Sequence, residues 1–425
     1  MSAVTAEVGT LPRVEARIAW RNPAIYGALG LLSLLVFGVL TPGEDRTRIQ
    51  VSSATDVFTI DTFAVPSRLT AVLLSLVALG LAGWVAWNTA NRKRNAAWIP
   101  AVFGALVLTA FLIWVMAGNS NALPLTVLLA GALTAAVPLA FGAMAGLLCE
   151  RSGIINIAIE GQLLAGAFLA VVVASTTGNA YAGMIAAPLA GALVGWILVM
   201  FAVRYKIDQI IVGVVLNVLV IGVTNYLFST VLTQNPQTLN SPPRLPTLAI
   251  PVLGDIPVIG PVLFQQSAVI YLMYVLVAVL QVMVFRSRWG LRMRSVGEHP
   301  KAADTVGINV NRTRIRNTVL GGAVAGLGGS ALVAAGLAFT KELTSGKGYI
   351  ALAAMILGRW SPKGALAAAL LFGFADSLRR VLGNLGSPIP SEFLAMLPYL
   401  ATIFAVAGLV GRVRAPAAEG KPYEK

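Results

Sequence analysis

The chain has 425 residues, of which 57% are hydrophobic and only 11% charged, with a mean hydropathy of +0.81. A soluble domain carries roughly 25% charged residues, so these figures exclude a soluble globular protein and indicate an integral membrane one. The net charge of +14 would suit nucleic acid, but most Lys and Arg lie in loops between apolar runs, where they act as orientation signals and not as a binding face.

Residues 1–24 are polar and carry Arg13, Arg17 and Arg21 ahead of the first apolar run, 24–40. No small-x-small cleavage site follows that run, so it reads as a retained anchor with its N-terminus inside. Further runs occupy 69–87, 97–116, 122–147, 160–176, 183–203, 209–232, 268–285, 317–339, 365–382 and 393–410, each near the ~20 residues a span needs. The run 349–358 is too short to cross alone and predicts a half-helix. The expectation is an all-α polytopic membrane protein with about 10–12 membrane segments, half-helix included, and both termini cytoplasmic. Of the 31 Lys and Arg, 23 fall in segments this topology places inside. Arg379 and Arg380 run against the pattern, at an outer interface.

Two outer loops are long. Residues 41–68 carry mixed charge, and 233–267 holds seven prolines, from Pro236 to Pro261, which make it stiff and irregular. Such a loop can brace a docking partner or simply cap the bundle. Within the spans, Gly142-x-x-x-Gly146, Gly191-x-x-x-Gly195 and Gly322-x-x-x-Gly326 allow backbones to approach closely.

Three stretches could carry chemistry. Glu150–Gln162, ERSGIINIAIEGQ, runs from a loop into an apolar helix, and Asn156 and Glu160 would share a helical face. A carboxylate entering hydrocarbon is costly and usually faces a cavity or a partner. Asn156, Glu160 and Gln162 therefore either line a solute path or, for Glu160, sit at the interface or cap a neighbouring helix. On 209–232, Asn217, Thr224 and Asn225 suit a polar uncharged solute or, more commonly, hydrogen bonds between helices. Lys341–Gly348 opens the half-helix, and half-helix N-termini aimed at a midplane site recur in transporters.

The third stretch is the basic loop 286–316, with eight Lys and Arg. Within it Pro300 can start a short helix that Gly307 ends. That helix is either a knob for another protein or part of a solvated loop whose charges only fix topology. The lone Cys149 and lone His299 exclude a disulfide, a cysteine- or histidine-based metal cluster and a histidine triad. G-x-x-x-x-G-K-[ST] is absent, so any ATP would be used by another polypeptide.

The blocks ERSGIINIAIEGQ, GLRMRSVGEHPKAADTVGINV, SGKGYIALAAMILGRWSPKGALAAALLFGFADSL, MLPYLATI and APAAEGKPYEK, in that order, resemble permease subunits of bacterial ABC importers for nucleosides and simple sugars. These belong with the ribose and branched-chain amino acid permeases. The resemblance covers roughly 97–425. It implies a type II importer-like core, 97–410, after an extension of a cytosolic tail and two extra helices, 1–96, and before a cytosolic tail, 411–425. It also implies a plasma-membrane permease without its own ATPase site and with no cofactor in this chain. ATP and Mg would sit on a partner ATPase, beside a second, homologous permease chain and an extracytoplasmic binding lipoprotein. Contact with the ATPase would fall to Gly297, Glu298, His299, Pro300, Ala302, Ala303, Asp304 and Gly307; His299 stands where related chains more often have Asn. The alternative is a self-contained secondary transporter, for which Glu160 and Asp376 are the only ion-coupling candidates.

Overall fold

A computed structural model describes residues 20–52, 59–96, 98–386, 389–390, 392–396, 399 and 414–424. The expected last span, 393–410, therefore lies almost wholly outside the described residues. The chain divides into two compact units, one of residues 1–50 and 62–123 and the other of 51–61 and 124–425.

The first unit contains α1 (Arg21–Leu32), which continues as a π-helical stretch (Ser33–Val39), then α2 (Ser67–Ala90) and α3 (Ile99–Val115). Ala71, Ser75, Ala78 and Ala82 form a buried small-residue stripe along α2 at helical spacing. On that stripe the Ser75 hydroxyl bonds Ser33 at 2.7 Å, and Phe103 of α3 packs on Ala78 and Ala82. The unit includes α3 as well as the two helices of the expected extension. Strands Arg46–Gln50 and Phe63–Pro66 pair antiparallel and bring the chain back to α2.

The second unit is a helical bundle. Its elements are α4 (Leu125–Glu150), α5 (Ile159–Thr177), α6 (Ala180–Val203), α7 (Gln209–Leu227), the short α8 (Pro236–Leu239), α9 (Ala268–Arg286), α10 (Arg288–Glu298), α11 (Pro300–Thr305), α12 (Val310–Val333), α13 (Lys347–Leu357) and α14 (Pro362–Asn384). Glycine decides the packing of α12. A Cβ on Gly191 would lie 2.2 Å from the Gly322 carbonyl oxygen, and one on Gly166 would lie 2.2 Å from that of Gly326. The Gly191/Gly195 and Gly322/Gly326 pairs therefore face one another across α6 and α12, a separation only glycine permits. Gly142 and Gly146 of α4 instead make room for Ala351 and Met355 of α13.

Among the described residues, seven helices, α1, α2 and α9 with α4 to α7, are long and apolar enough to cross a membrane, α1 and α7 counted with their π-helical continuations. α13 spans eleven residues, about 16 Å of rise, and is the expected half-helix. α12 starts seven residues earlier than the apolar run because the Asn309 side chain accepts from the Arg312 N–H at 2.9 Å and caps it. The proline-rich loop between α7 and α9 holds α8 and an antiparallel ribbon of Thr247–Ala249 with Gln265–Ser267. Asn240 fastens the loop to the chain beyond α12, accepting from Phe339 N at 2.7 Å and donating to its carbonyl at 3.1 Å.

Candidate functional site

The half-helix α13 has no side-chain cap of its own; Gly346 stands at its N-cap with φ +80°. Its free donors are met from α5. Glu160, 4% exposed, accepts from Gly346 N at 2.8 Å, Gly348 N at 2.6 Å and the Thr344 hydroxyl at 2.6 Å. A carboxylate at a helix N-terminus satisfies orphan N–H groups and offsets the positive end of the dipole. Of the readings open for Glu160, the geometry is that of a cap on a neighbouring helix. Gly348 is required at this point, since a Cβ there would lie 2.4 Å from Glu160 N.

The other end of α13 is held from the end of α4. Trp360 Nε1 donates to Glu150 Oε2 at 2.6 Å, and Arg151 donates to the Trp360 carbonyl from Nε at 3.1 Å and Nη2 at 2.9 Å. Arg359 and Trp360 have φ of +56° and +50°, so this turn is left-handed without glycine. The segment Glu150–Gln162 is thus a bracket, with a carboxylate at each end and the half-helix between them.

Asn156 lies in the loop before α5, which begins at Ile159, so it does not share a helical face with Glu160 as the spacing suggested. It pairs instead with Gln162 in two amide bonds of 3.0 and 3.3 Å, both side chains fully buried. Asn217 of α7 accepts from Gly161 N at 2.8 Å and donates to the Ile157 carbonyl at 2.9 Å and the Tyr349 hydroxyl at 3.3 Å. Four of the six residues expected to line a path therefore gather around one loop and spend their polar atoms on protein. Thr224 donates to the Val220 carbonyl of its own helix at 2.7 Å, and the buried Asn225 Oδ1 has no partner; neither joins the cluster. Thr344, Tyr349 and Trp360 were missed because single hydroxyls and an indole N–H leave no periodic signal.

Beside the mouth of the half-helix is a cavity of about 230 Å³, walled by Ser345 and Lys347, by Ile350 of α13, by Phe372 and Asp376 of α14, and by Tyr399. Asp376 holds Arg379 at 3.3 Å and Arg380 at 3.4 Å.

The basic loop folds into a knob. Ser287 caps α10 by accepting from Gly290 N at 3.0 Å; Pro300 opens α11, and Gly307, at φ +81°, follows its end. Glu298, His299, Lys301, Ala302 and Gly307 are exposed, and Pro300 and Asp304 half-buried. Ala303 and Gly297 face inward. Ala303 is 2% exposed and packs with Val296, Val310 and Tyr423. The chain end returns to this knob: Ala418 N donates to the Gly297 carbonyl at 2.9 Å, Arg314 Nη1 to the Lys421 carbonyl at 2.9 Å, and Lys206 pairs with Glu424 at 2.7 Å. Among the described residues no group of three or more metal-ligating side chains comes together.

The family model "Branched-chain amino acid transport system / permease component" matches residues 127–407. The guanosine ABC transporter permease protein NupQ of Bacillus subtilis is 40% identical over 312 residues, covering 71% of this chain and 97% of that one. The nucleoside ABC transporter permease protein NupC of Lactococcus lactis is 37% identical over 71% of this chain and 98% of its own length. A putative glucose ABC transporter permease, TsgC13 of Haloferax volcanii, is 32% identical over 59% of this chain and 76% of its own length. No solved structure matches. With its glycine-packed bundle, bracketed half-helix and knob, the chain belongs to the branched-chain amino acid transport permease family of ABC importers.

Proposed function

We infer that the chain is the transmembrane permease subunit of an ATP-driven importer for a nucleoside or simple sugar, in the plasma membrane. The observation that carries this is the knob. A capped, six-residue α11 is set on α10 and on the chain end, with Val306 74% exposed at its tip, on a bundle whose relatives are ABC permeases. In this reading Glu298, His299, Pro300, Ala302 and Asp304 meet the ATPase, while Gly297, Ala303 and Gly307 set the shape of the knob. ATP and Mg belong to that ATPase. A second, homologous permease chain completes the path, as the presence of two guanosine permease proteins, NupQ and NupP, in Bacillus subtilis suggests. A binding lipoprotein delivers the solute, and both termini are cytoplasmic.

The mechanism follows from rigidity. Movement of the ATPase shifts α11 and, through Gly297, the Arg151–Trp360 turn beneath it: a Cβ on Gly297 would lie 2.3 Å from the Arg151 carbonyl oxygen. Arg151 grips the end of α13, so displacement at the knob reaches the half-helix through packed backbone and not through a flexible loop. Asn156, Gln162 and Asn217 then hold the bracket in register. A secondary carrier is disfavoured because Glu160 is already engaged by three donors of the half-helix.

The test is solute uptake into proteoliposomes holding the complete complex. Uptake that requires ATP and persists with an ionophore present supports the reading. Uptake by this chain alone, abolished by the ionophore, overturns it.

A further inference from the structure

Three features of α14 remain unexplained by the importer reading: a carboxylate within an apolar helix, two arginines at its end, and an aromatic side chain one turn before the carboxylate. The carboxylate, Arg379 and the aromatic side chain line the 230 Å³ cavity. Phe372, 1% exposed, backs an apolar stretch of its wall with Leu139 and Ile350. Asp376 stands one turn further along the same helix. Its Oδ1 takes Arg379 and its Oδ2 takes Arg380, so each oxygen has one partner. Each oxygen retains a further lone pair, and the side chain is 32% exposed. Lys347 and Ser345, at the mouth of the half-helix, add donors to the lining.

We propose that this cavity is the solute subsite of the permease, and that it takes a neutral nucleoside, with the base on the Phe372 wall and the sugar hydroxyls donating to Asp376. The proposal rests on the importer reading above. A free sugar would leave the apolar wall uncovered, whereas a nucleoside presents an apolar face and vicinal donors at once. A cation is disfavoured by Lys347, Arg379 and Arg380 around a single carboxylate. The competing account is that Arg379 and Arg380 are interfacial anchors for lipid headgroups and that the cavity holds no solute.

The native chain offers a direct test, since its only cysteine, Cys149, is fully buried. Ser345→Cys places one accessible thiol on the cavity wall. The intact complex bearing it, in nanodiscs, is treated with a polar maleimide, and modification is read as the mass shift of this chain. Guanosine is expected to slow labelling at least tenfold, while glucose and inorganic phosphate leave it unchanged. Asp376→Asn and Phe372→Leu in the same background are each expected to raise the half-protecting guanosine concentration about tenfold. If the wild-type complex imports guanosine yet labelling is equally fast with and without it, the subsite is overturned while the importer reading stands. If the complex imports glucose and not guanosine, and glucose protects the thiol, the nucleoside assignment is overturned. If Asp376→Asn fails to assemble, Phe372→Leu and the Ser345→Cys protection still decide.

Discussion

Glu160 and Asp376 are both carboxylates on helices of the bundle, yet their surroundings differ in the way that separates structure from binding. Glu160 is 4% exposed and takes three donors from the half-helix, all at 2.8 Å or less. Asp376 pairs with Arg379 and Arg380, one on each oxygen, is partly exposed and lines a cavity. A carboxylate whose oxygens are filled by a helix end holds the fold together; a partly exposed one at a cavity wall can receive a ligand. Sequence alone placed Glu160, and not Asp376, among the residues of a solute path.

The sharpest way to break that comparison is to remove each carboxylate. Glu160→Ala orphans three buried donors at about 1–3 kcal/mol each, so the complex is expected to lose most of its thermal stability in detergent. Asp376→Asn severs only partly exposed ion pairs worth about 0–1 kcal/mol, and its melting temperature should barely move. A Glu160→Ala complex that melts like wild type but has lost uptake would return Glu160 to the solute path.

Ala303→Asp comes next. It buries a carboxylate among Val296, Val310 and Tyr423, which costs several kcal/mol unless α11 is displaced. Displacement of the knob should abolish ATP-driven uptake while the chain still inserts, measured by uptake alongside recovery from membranes. Normal uptake by a well-expressed variant would remove the knob from coupling.

Trp360→Phe tests the lower end of the bracket. It removes the Nε1 donor to Glu150 and should destabilise by about 1–3 kcal/mol. The initial uptake rate should fall with little change in KM, because the half-helix is loosened but the cavity wall is intact. A change in KM alone would place Trp360 near the solute.

The smallest effect concerns the chain end. Burial holds the Glu419 carboxyl above its usual range, a shift that its hydrogen bond with Glu150 opposes. Burial therefore eases protonation of this carboxyl in the docked tail. Its stabilising contribution is full below the ordinary value of 4.5 and is lost as pH rises through the raised one. Hydrogen exchange at Ala418, corrected for intrinsic rate, should show weaker protection at pH 8 than at pH 5, and Glu419→Gln should flatten that difference. Equal protection at both pH values in the native chain would show that Glu419 does not hold the tail.

Much of the fold was legible because membrane physics writes itself into sequence. Apolar runs gave α1, α2, α4 to α7 and α9 within a few residues, since a span must be long and uncharged wherever its neighbours lie. The knob was legible for a local reason: Pro300 and Gly307 are end signals that act within one turn. Glycine spacing announced close packing but not the partners; that Gly191 meets Gly322 whereas Gly142 meets Ala351 depends on which helices the bundle brings side by side.

The sequence by itself determined the class of protein, the half-helix, the capped knob and the residues that had to face something other than lipid. Only the tertiary structure decided what those residues face. Glu160 reaches backbone amides 186 and 188 positions away, and Glu150 reaches an indole 210 positions away. A buried charge must find a partner, but the chain can supply that partner from any distance, so local pattern establishes the need and folding alone supplies the answer.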